Sequence, residues 1–410
     1  VVPVGAYGTP FDNPNTKLDD SRAMAEVRYE PHLTTNTELM LRVHANHYSS
    51  HETFASGGPL YVEDYLGTWF GTEARLALTP FVGWRFTAGG EFQYHPKASL
   101  TGESIDPDGT TSTYLNDQAP FRFGAGYVLA EGAPLSWLRL NAGARLDVYS
   151  TFGPIVVPRA AMILKPYPGG VLKLMFGRAF RAPSVYEQVY NDGGITQAKA
   201  VDPSRGLTLG PESIYSGELE YTHRFLESWT VLASIYAGRA TGLISAIPDT
   251  PGSSVLRYAN SPVPALLAGA EAELRREFRR GWMLVASYGY ERAQYDDSSL
   301  SDPRLVNAPE QQASLRGVVP VVREWLSLAM RLSLEAPRRI NLDGSATTGT
   351  AVVADLVASG TLRDFGLHDA LGLYNLANQH YDVPVSSTFA STTMPQNGRT
   401  LLLDLLADFP

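Results

Sequence analysis

From Leu138 to Val148 the chain alternates in period two. Leu138, Leu140, Ala142, Ala144, Leu146 and Val148 fall on one side of an extended strand, and Arg139, Asn141, Gly143, Arg145 and Asp147 on the other. The pattern returns at Ala268, Ala270, Ala272 and Leu274 against Gly269, Glu271, Glu273 and Arg275. It returns again at Leu326, Leu328, Met330, Leu332 and Leu334 against Ser327, Ala329, Arg331, Ser333 and Glu335. Such runs match the roughly 9–11 residues of a membrane-crossing β-strand, whereas strands of soluble sandwiches average about five or six. The apolar faces are lean in Ala and Leu, with aromatics near their ends, as where Trp282 and Tyr290 flank Leu284, Ala286 and Tyr288. That suits a lipid-facing band bounded by aromatic girdles.

The connections alternate as well. Short ones fall near Leu164–Gly170, Phe225–Ser228, Phe278–Gly281, Val319–Glu324 and Arg363–Leu367. Long polar ones fall near Leu100–Gln118, Val185–Pro211, Ile247–Pro264, Tyr295–Pro309, Pro337–Thr350 and Asp382–Gly398. An outer-membrane barrel has this asymmetry, with tight periplasmic turns and long extracellular loops. The pattern predicts an all-β, antiparallel up-and-down transmembrane barrel of about 17 strands, or 18 if Val1–Gly8 ends another. The first clear strand, Arg22–Glu30, runs toward the short-turn side, so the chain starts on the extracellular side. Because bacterial barrels keep both termini in the periplasm and an even strand number, residues 1–410 are expected to form a partial barrel lacking its first strands.

Composition narrows the classes. The 410 residues are 44% hydrophobic and 18% charged, which excludes global disorder. No apolar stretch approaches the roughly 18–20 residues of a membrane helix. Cysteine is absent, removing disulfides and thiolate chemistry, and the net charge of -9 disfavours a nucleic-acid partner. The first residues carry no export-signal pattern.

One ordered set of motifs adds identity. Gly177-Arg178-Ala179-Phe180-Arg181-Ala182-Pro183-Ser184 is followed by Tyr186-Glu187 and by Tyr190-Asn191-Asp192-Gly193-Gly194. The loop closes on Leu209-Gly210-Pro211-Glu212-Ser213 and a strand opening Gly217-Glu218-Leu219-Glu220-Tyr221. Gly269-Ala270-Glu271, Asn307-Ala308-Pro309-Glu310, and Asn375-Leu376 with Tyr381 and Pro384 come later. The order resembles the β-barrel domain of the TonB-dependent outer-membrane receptors. In that family the strand end Phe180, Arg181, Ala182, Pro183 and the restart Pro211, Glu212 bracket a long loop. The last strand, with Leu401, Leu403, Leu405, Ala407 and Phe409 on one face, is similar to the family's terminal signal for the barrel assembly machinery. Pro410 departs from the usual aromatic end.

The resemblance implies a Gram-negative cell outer membrane and its lipid. It implies a barrel of 22 strands, and an N-terminal plug that links to the TonB–ExbB–ExbD complex; no plug is recognisable in this chain. It further implies active import of a scarce small-molecule metal chelate, with ferric siderophore the favoured class. Cobalamin, other metal chelates and saccharides are alternatives, as is a passive porin-like channel. Tyr186, Tyr190, Asn191 and Asp192 are the candidate ligand-binding residues, since aromatics with amides suit chelate capture. Arg181 and Pro183 could contact a plug or shape the loop exit, or Pro183 could simply end the ladder.

Other constellations argue for nothing further. His44, His47 and His51 invite a metal reading, but positions 44 and 47 face opposite sides of a strand, so no metal site is assigned. Glu218, Glu220, Glu271 and Glu273, with Arg139, Arg145, Arg275 and Arg331, are explained by a wet lumen. There is no Gly-x-Ser-x-Gly elbow and no phosphate loop, so neither enzyme activity nor a cofactor is expected.

Overall fold

The computed structural model describes residues 13–55, 58–226, 228–278, 281–322, 325–362, 366–385, 389 and 391–407. The strands begin with β1 (Lys17–Tyr29), β2 (His32–Thr34), β3 (Thr37–Ala55), β4 (Leu60–Phe81), β5 (Trp84–Ile105), β6 (Thr111–Gln118), β7 (Phe121–Leu135) and β8 (Leu138–Tyr149). They continue with β9 (Gly153–Tyr167), β10 (Gly170–Arg181), β11 (Glu212–Phe225), β12 (Trp229–Thr241), β13 (Ile244–Pro248), β14 (Leu256–Asn260), β15 (Ala265–Glu277) and β16 (Met283–Tyr295). The last are β17 (Gln311–Val322), β18 (Leu326–Glu335), β19 (Ala351–Leu362), β20 (Leu367–Tyr374), β21 (Asp382–Pro384), β22 (Thr393–Pro395) and β23 (Thr400–Ala407).

Nineteen of these form one antiparallel up-and-down sheet, with β2 and β6 as short flanking pieces beside seventeen crossing strands. The predicted number of about 17 therefore holds among the described residues. Val1–Gly8 and Phe409 lie outside them. β1 pairs with β3, and β23 pairs with β20; no described pairing joins β1 to β23.

What makes this sheet a membrane element is which face is exposed. On β7, β12 and β18 the outward Val128, Ile235 and Met330 are 60%, 58% and 53% exposed, while the inward Asp147 of β8 is 2% exposed. A soluble protein would reverse this, because leaving large apolar side chains in water forfeits about 1.5–3 kcal/mol each. Lipid removes that penalty, and the barrel ladder satisfies the backbone groups that lipid cannot. No described helix is long and apolar enough to cross a membrane.

Aromatics mark both rims of the band. Tyr167, Trp282 and Trp325 are exposed near the short turns, and Phe70, Phe92, Tyr94, Tyr215 and Tyr290 toward the long loops.

The inward charges pair with one another along the wall. Arg145 reaches Glu91 and Asp147, both at 2.9 Å; Arg331 reaches Asp355 at 2.5 Å, Lys173 reaches Glu220 at 2.7 Å, and Arg275 reaches Glu273 at 3.0 Å. Apart from Glu91, which reaches Arg145 across β7, these partners sit on the same or adjacent strands, so the register that puts the apolar face outward also brings them together.

Two expectations about connections need correction. Leu100–Gln118 is not a polar loop: β5 runs on to Ile105 and turns back as β6, because Leu100 and Leu115 are buried and the intervening Thr, Ser and Tyr favour extended pairing. The turn placed at Leu164–Gly170 is only Pro168-Gly169, since β9 continues to Tyr167.

Candidate functional site at the long-loop mouth

The Phe180–Ser184 motif ends β10. Arg181 stands opposite Glu212 in the last pair of the β10–β11 ladder, and Ala182 with the buried Pro183 carries the chain off it, since proline has no N–H to continue the pairing. Ser184 then caps a five-residue helix, α1 (Val185–Val189), in a reciprocal capping box with Glu187. Arg181 clasps both ends of the loop. Its Nε donates to Glu212 at 2.7 Å, and its two terminal nitrogens donate to Glu187 at 2.8 and 3.0 Å.

Glu212 also accepts the Ile244 N–H at 2.6 Å. Burial would raise the Glu187 carboxyl, but the Arg181 guanidinium and the Ser184 donors outweigh it and hold the group below the usual range. Glu212 and Glu187 push Arg181 upward in turn. Phe180 packs edge-on against Tyr149 and Phe152 at 6.1 and 6.5 Å, over the β8–β9 turn. Beside Pro211, Asn260 donates to the carbonyls of Gly210 and Gly242 at 2.9 and 2.7 Å.

The centre of the mouth is a carboxylate surrounded by phenols. Glu63 projects inward from β4 and is 5% exposed. It accepts from Tyr114 at 2.7 Å, from Tyr190 at 2.8 Å, and from Tyr65. Tyr186 stacks on Tyr190 with centroids 4.3 Å apart, and meets Tyr65 and Tyr258 edge-on at 6.3 and 6.4 Å. The Tyr114 ring reaches Glu63 by lying across Gly102 of β5, where any Cβ would stand 2.7 Å from the ring. Burial first, and the charge of Glu63 second, push the Tyr65, Tyr114 and Tyr190 phenols upward, so they stay protonated donors. Glu52 faces Glu63 across the β3–β4 register, and burial raises its carboxyl too.

The four predicted ligand residues divide. Tyr186 and Tyr190 join this cluster, with both rings half-buried at the mouth. Asn191 donates to Asp117 at 3.2 Å, beside Lys199 on the same carboxylate at 2.7 Å. Asp192 accepts the N–H groups of Ile195, Thr196 and Gln197 at 2.8–3.0 Å, so its carboxylate is taken up by its own turn.

Sequence reasoning missed Glu63, Tyr65, Tyr114 and Tyr258. One signal was available: Tyr61, Glu63 and Tyr65 share a strand face by period two.

The histidines do not converge, since His44 meets Asn46, His47 meets Thr68 and His51 meets Asp64. No metal-holding group occurs among the described residues. Leu405 and Ala407 lie on β23, at the short-turn end and away from the mouth.

A family model for the TonB dependent receptor-like β-barrel matches residues 3–387. BauA, the ferric preacinetobactin receptor of Acinetobacter baumannii, is 13% identical with a TM-score of 0.69, covering 99% of this chain and 65% of its own. FyuA, the ferric yersiniabactin uptake receptor of Yersinia pestis, is 15% identical with a TM-score of 0.72, covering 99% and 65%. The copper transporter OprC is 15% identical with a TM-score of 0.76, covering 95% and 66%. The chain thus spans just under two thirds of the length of these relatives. Comparison with curated proteins gives no match.

Proposed function

Because the chain belongs to the TonB-dependent receptors through their β-barrel domain, we propose that it forms most of the barrel of an active outer-membrane importer for a scarce metal chelate, with ferric siderophore the favoured class. The family is one of receptors and transporters rather than enzymes, and its barrels are outer-membrane proteins. One observation carries the membrane half of the reading: the apolar faces are exposed and the charged faces paired inside. The mouth supports the ligand half. Tyr186 stacks on Tyr190, whose hydroxyl donates to Glu63, and Tyr258 stands edge-on beside Tyr186, an arrangement that suits the flat groups of a chelate. BauA and FyuA are described as receptors for ferric ligands and OprC as a copper transporter, so the ligand class must be measured.

The rest of the import machinery is part of the proposal. The free edges of β1 and β23 are joined by further strands, the lumen holds a plug, and the plug engages TonB–ExbB–ExbD. The barrel assembly machinery inserts the barrel through the β23 end.

The test is uptake of radiolabelled ferric siderophores by iron-starved cells, with and without this gene and with and without TonB. Gene-dependent uptake that vanishes without TonB is the expected result. TonB-independent passage with steady ion conductance through the purified protein would replace the importer with a passive channel.

A further inference from the structure

The outer face carries a row of rings at its short-turn rim. It runs from Tyr167 on β9 to His223 and Phe225 on β11, with centroids 5.4 and 5.7 Å apart, and on to Trp229 of β12 at 6.2 Å. Beyond a gap it resumes with Phe278 and Trp282 at 6.5 Å. Arg276 fills the gap, its guanidinium carbon 4.8 Å from the Trp229 ring centre and 4.0 Å from that of Phe278.

Arg276 faces outward. It stands opposite Trp229 and Leu284 in the register, on the side of Leu274, whose exposure places it in the apolar band. The carboxylates of its own strand point the other way: Glu273 and Glu277 lie 3.0 and 4.0 Å from the inward Arg275. No described carboxylate pairs with Arg276, and its Nε is shielded from solvent without a partner.

A guanidinium stays charged at any physiological pH. On a lipid-facing surface it requires an anion or deep hydration. A guanidinium lying over aromatic rings keeps its terminal nitrogens as donors, and such donors engage a phosphate bidentately. Arg276 is one residue from the end of β15, at the level of the girdle, where phospholipid headgroups lie.

We propose that Arg276, held between Trp229 and Phe278, binds the phosphate of an anionic glycerophospholipid in the leaflet on the short-turn side. The site rests on the membrane-spanning reading above. A headgroup such as glycerol fits best, because it brings no second cation toward the arginine.

The test uses the full-length protein, delipidated in detergent, then offered phosphatidylglycerol, phosphatidylethanolamine or inorganic phosphate and examined by native mass spectrometry. Wild type should retain one phosphatidylglycerol, R276Q should lose retention at least fivefold, and R276K should fall between. W229L, which keeps the charge but removes one ring, should lose about twofold. R292Q, altering an outward arginine at the opposite rim, should match wild type. Equal retention by wild type, R276Q and W229L overturns the site, as does displacement of the lipid by millimolar inorganic phosphate. Heat-modifiable migration on gels separates a folding defect from a binding one. If the wild type fails to insert into phosphatidylglycerol vesicles at all, the membrane reading itself fails.

Discussion

The mouth and the two outermost strands solve the same problem in opposite ways. At the mouth, polar groups find partners within the chain: Glu63 takes three phenols, one of them from Tyr190, 127 positions away, and Asp192 takes its own loop's N–H groups. On β1 the partners are few and exposed, as where Asp20 accepts from Tyr48 and Glu26 lies 3.8 Å from Arg42. All thirteen residues of β1 and all eight of β23 are exposed, and each strand is paired along one edge. The mouth is therefore shaped by its own bonds, whereas the outer strands depend on lipid and on neighbours for theirs.

The largest effect should come from breaking the mouth at its centre. Glu63→Ala leaves three buried phenols without an acceptor, each worth roughly 1–3 kcal/mol and not additive, so a local loss of about 3–5 kcal/mol is expected. Hydrogen exchange across 185–211 reads it. Glu63→Gln, which keeps one acceptor oxygen, should cost less than half as much. Unchanged protection in Glu63→Ala would show that the loop does not depend on this carboxylate.

The outer strands give the next largest effect. The register places Leu403 opposite Leu371, and Leu371 opposite Ala358 on the lipid-facing side of β19, while Leu402 faces the lumen. Leu403→Arg should cost about 2–4 kcal/mol near the bilayer midplane, and Leu402→Arg nearly nothing. Urea titration of the folded barrel in vesicles separates them. Equal tolerance would reverse the assignment of faces on β23.

The two regions also differ in how legible they were. The fold was readable because lipid on one side and water on the other impose period two on every strand, so Leu138–Val148 or Leu326–Leu334 declares its faces without tertiary information. The mouth was not readable to the same degree. Tyr190 meets Glu63 only because the loop after β10 reaches back over the intervening strands to β4. Nothing in the strand pattern marks Gly102, yet it is the surface across which Tyr114 passes to Glu63. Asn191 and Asp192 resembled ligand donors by residue type, but short polar side chains in a tight loop meet their own backbone first.

A smaller effect tests the clasp that carries the loop. The Arg181 side chain is 46% exposed, so solvent screening limits Arg181→Ala to about 1–2 kcal/mol, read by protease cleavage within 190–206. Its pH dependence has a definite sign. The carboxyl of Glu187 is depressed in the folded state, so its contribution is complete above the ordinary glutamate value and lost as pH falls through the folded value. Cleavage should accelerate under acid in the wild type, and the acceleration should shrink in Arg181→Ala.

Glu52 should give the smallest effect and the opposite sign. Burial, with the charges of Glu63 and Asp20 adding to it, raises its carboxyl although Ser50 donates to the ionised form. A folded value above the unfolded one means the folded mouth holds more protons in the interval between them. Stability from this group therefore declines as pH rises through that interval. Glu52→Gln removes the charge at every pH and should stabilise the mouth by about 0.5 kcal/mol or less at neutrality, since the side chain is half-buried and solvent screens it. In acid it should give no advantage, because Glu52 is by then neutral. Exchange rates of the β3–β4 amides around Ser50 and Glu63, compared at both pH values, report this directly. A Glu52→Gln protein that is less protected than wild type at neutral pH would mean that the charge contributes to holding the mouth, and that Glu52, like Glu187, is paired there.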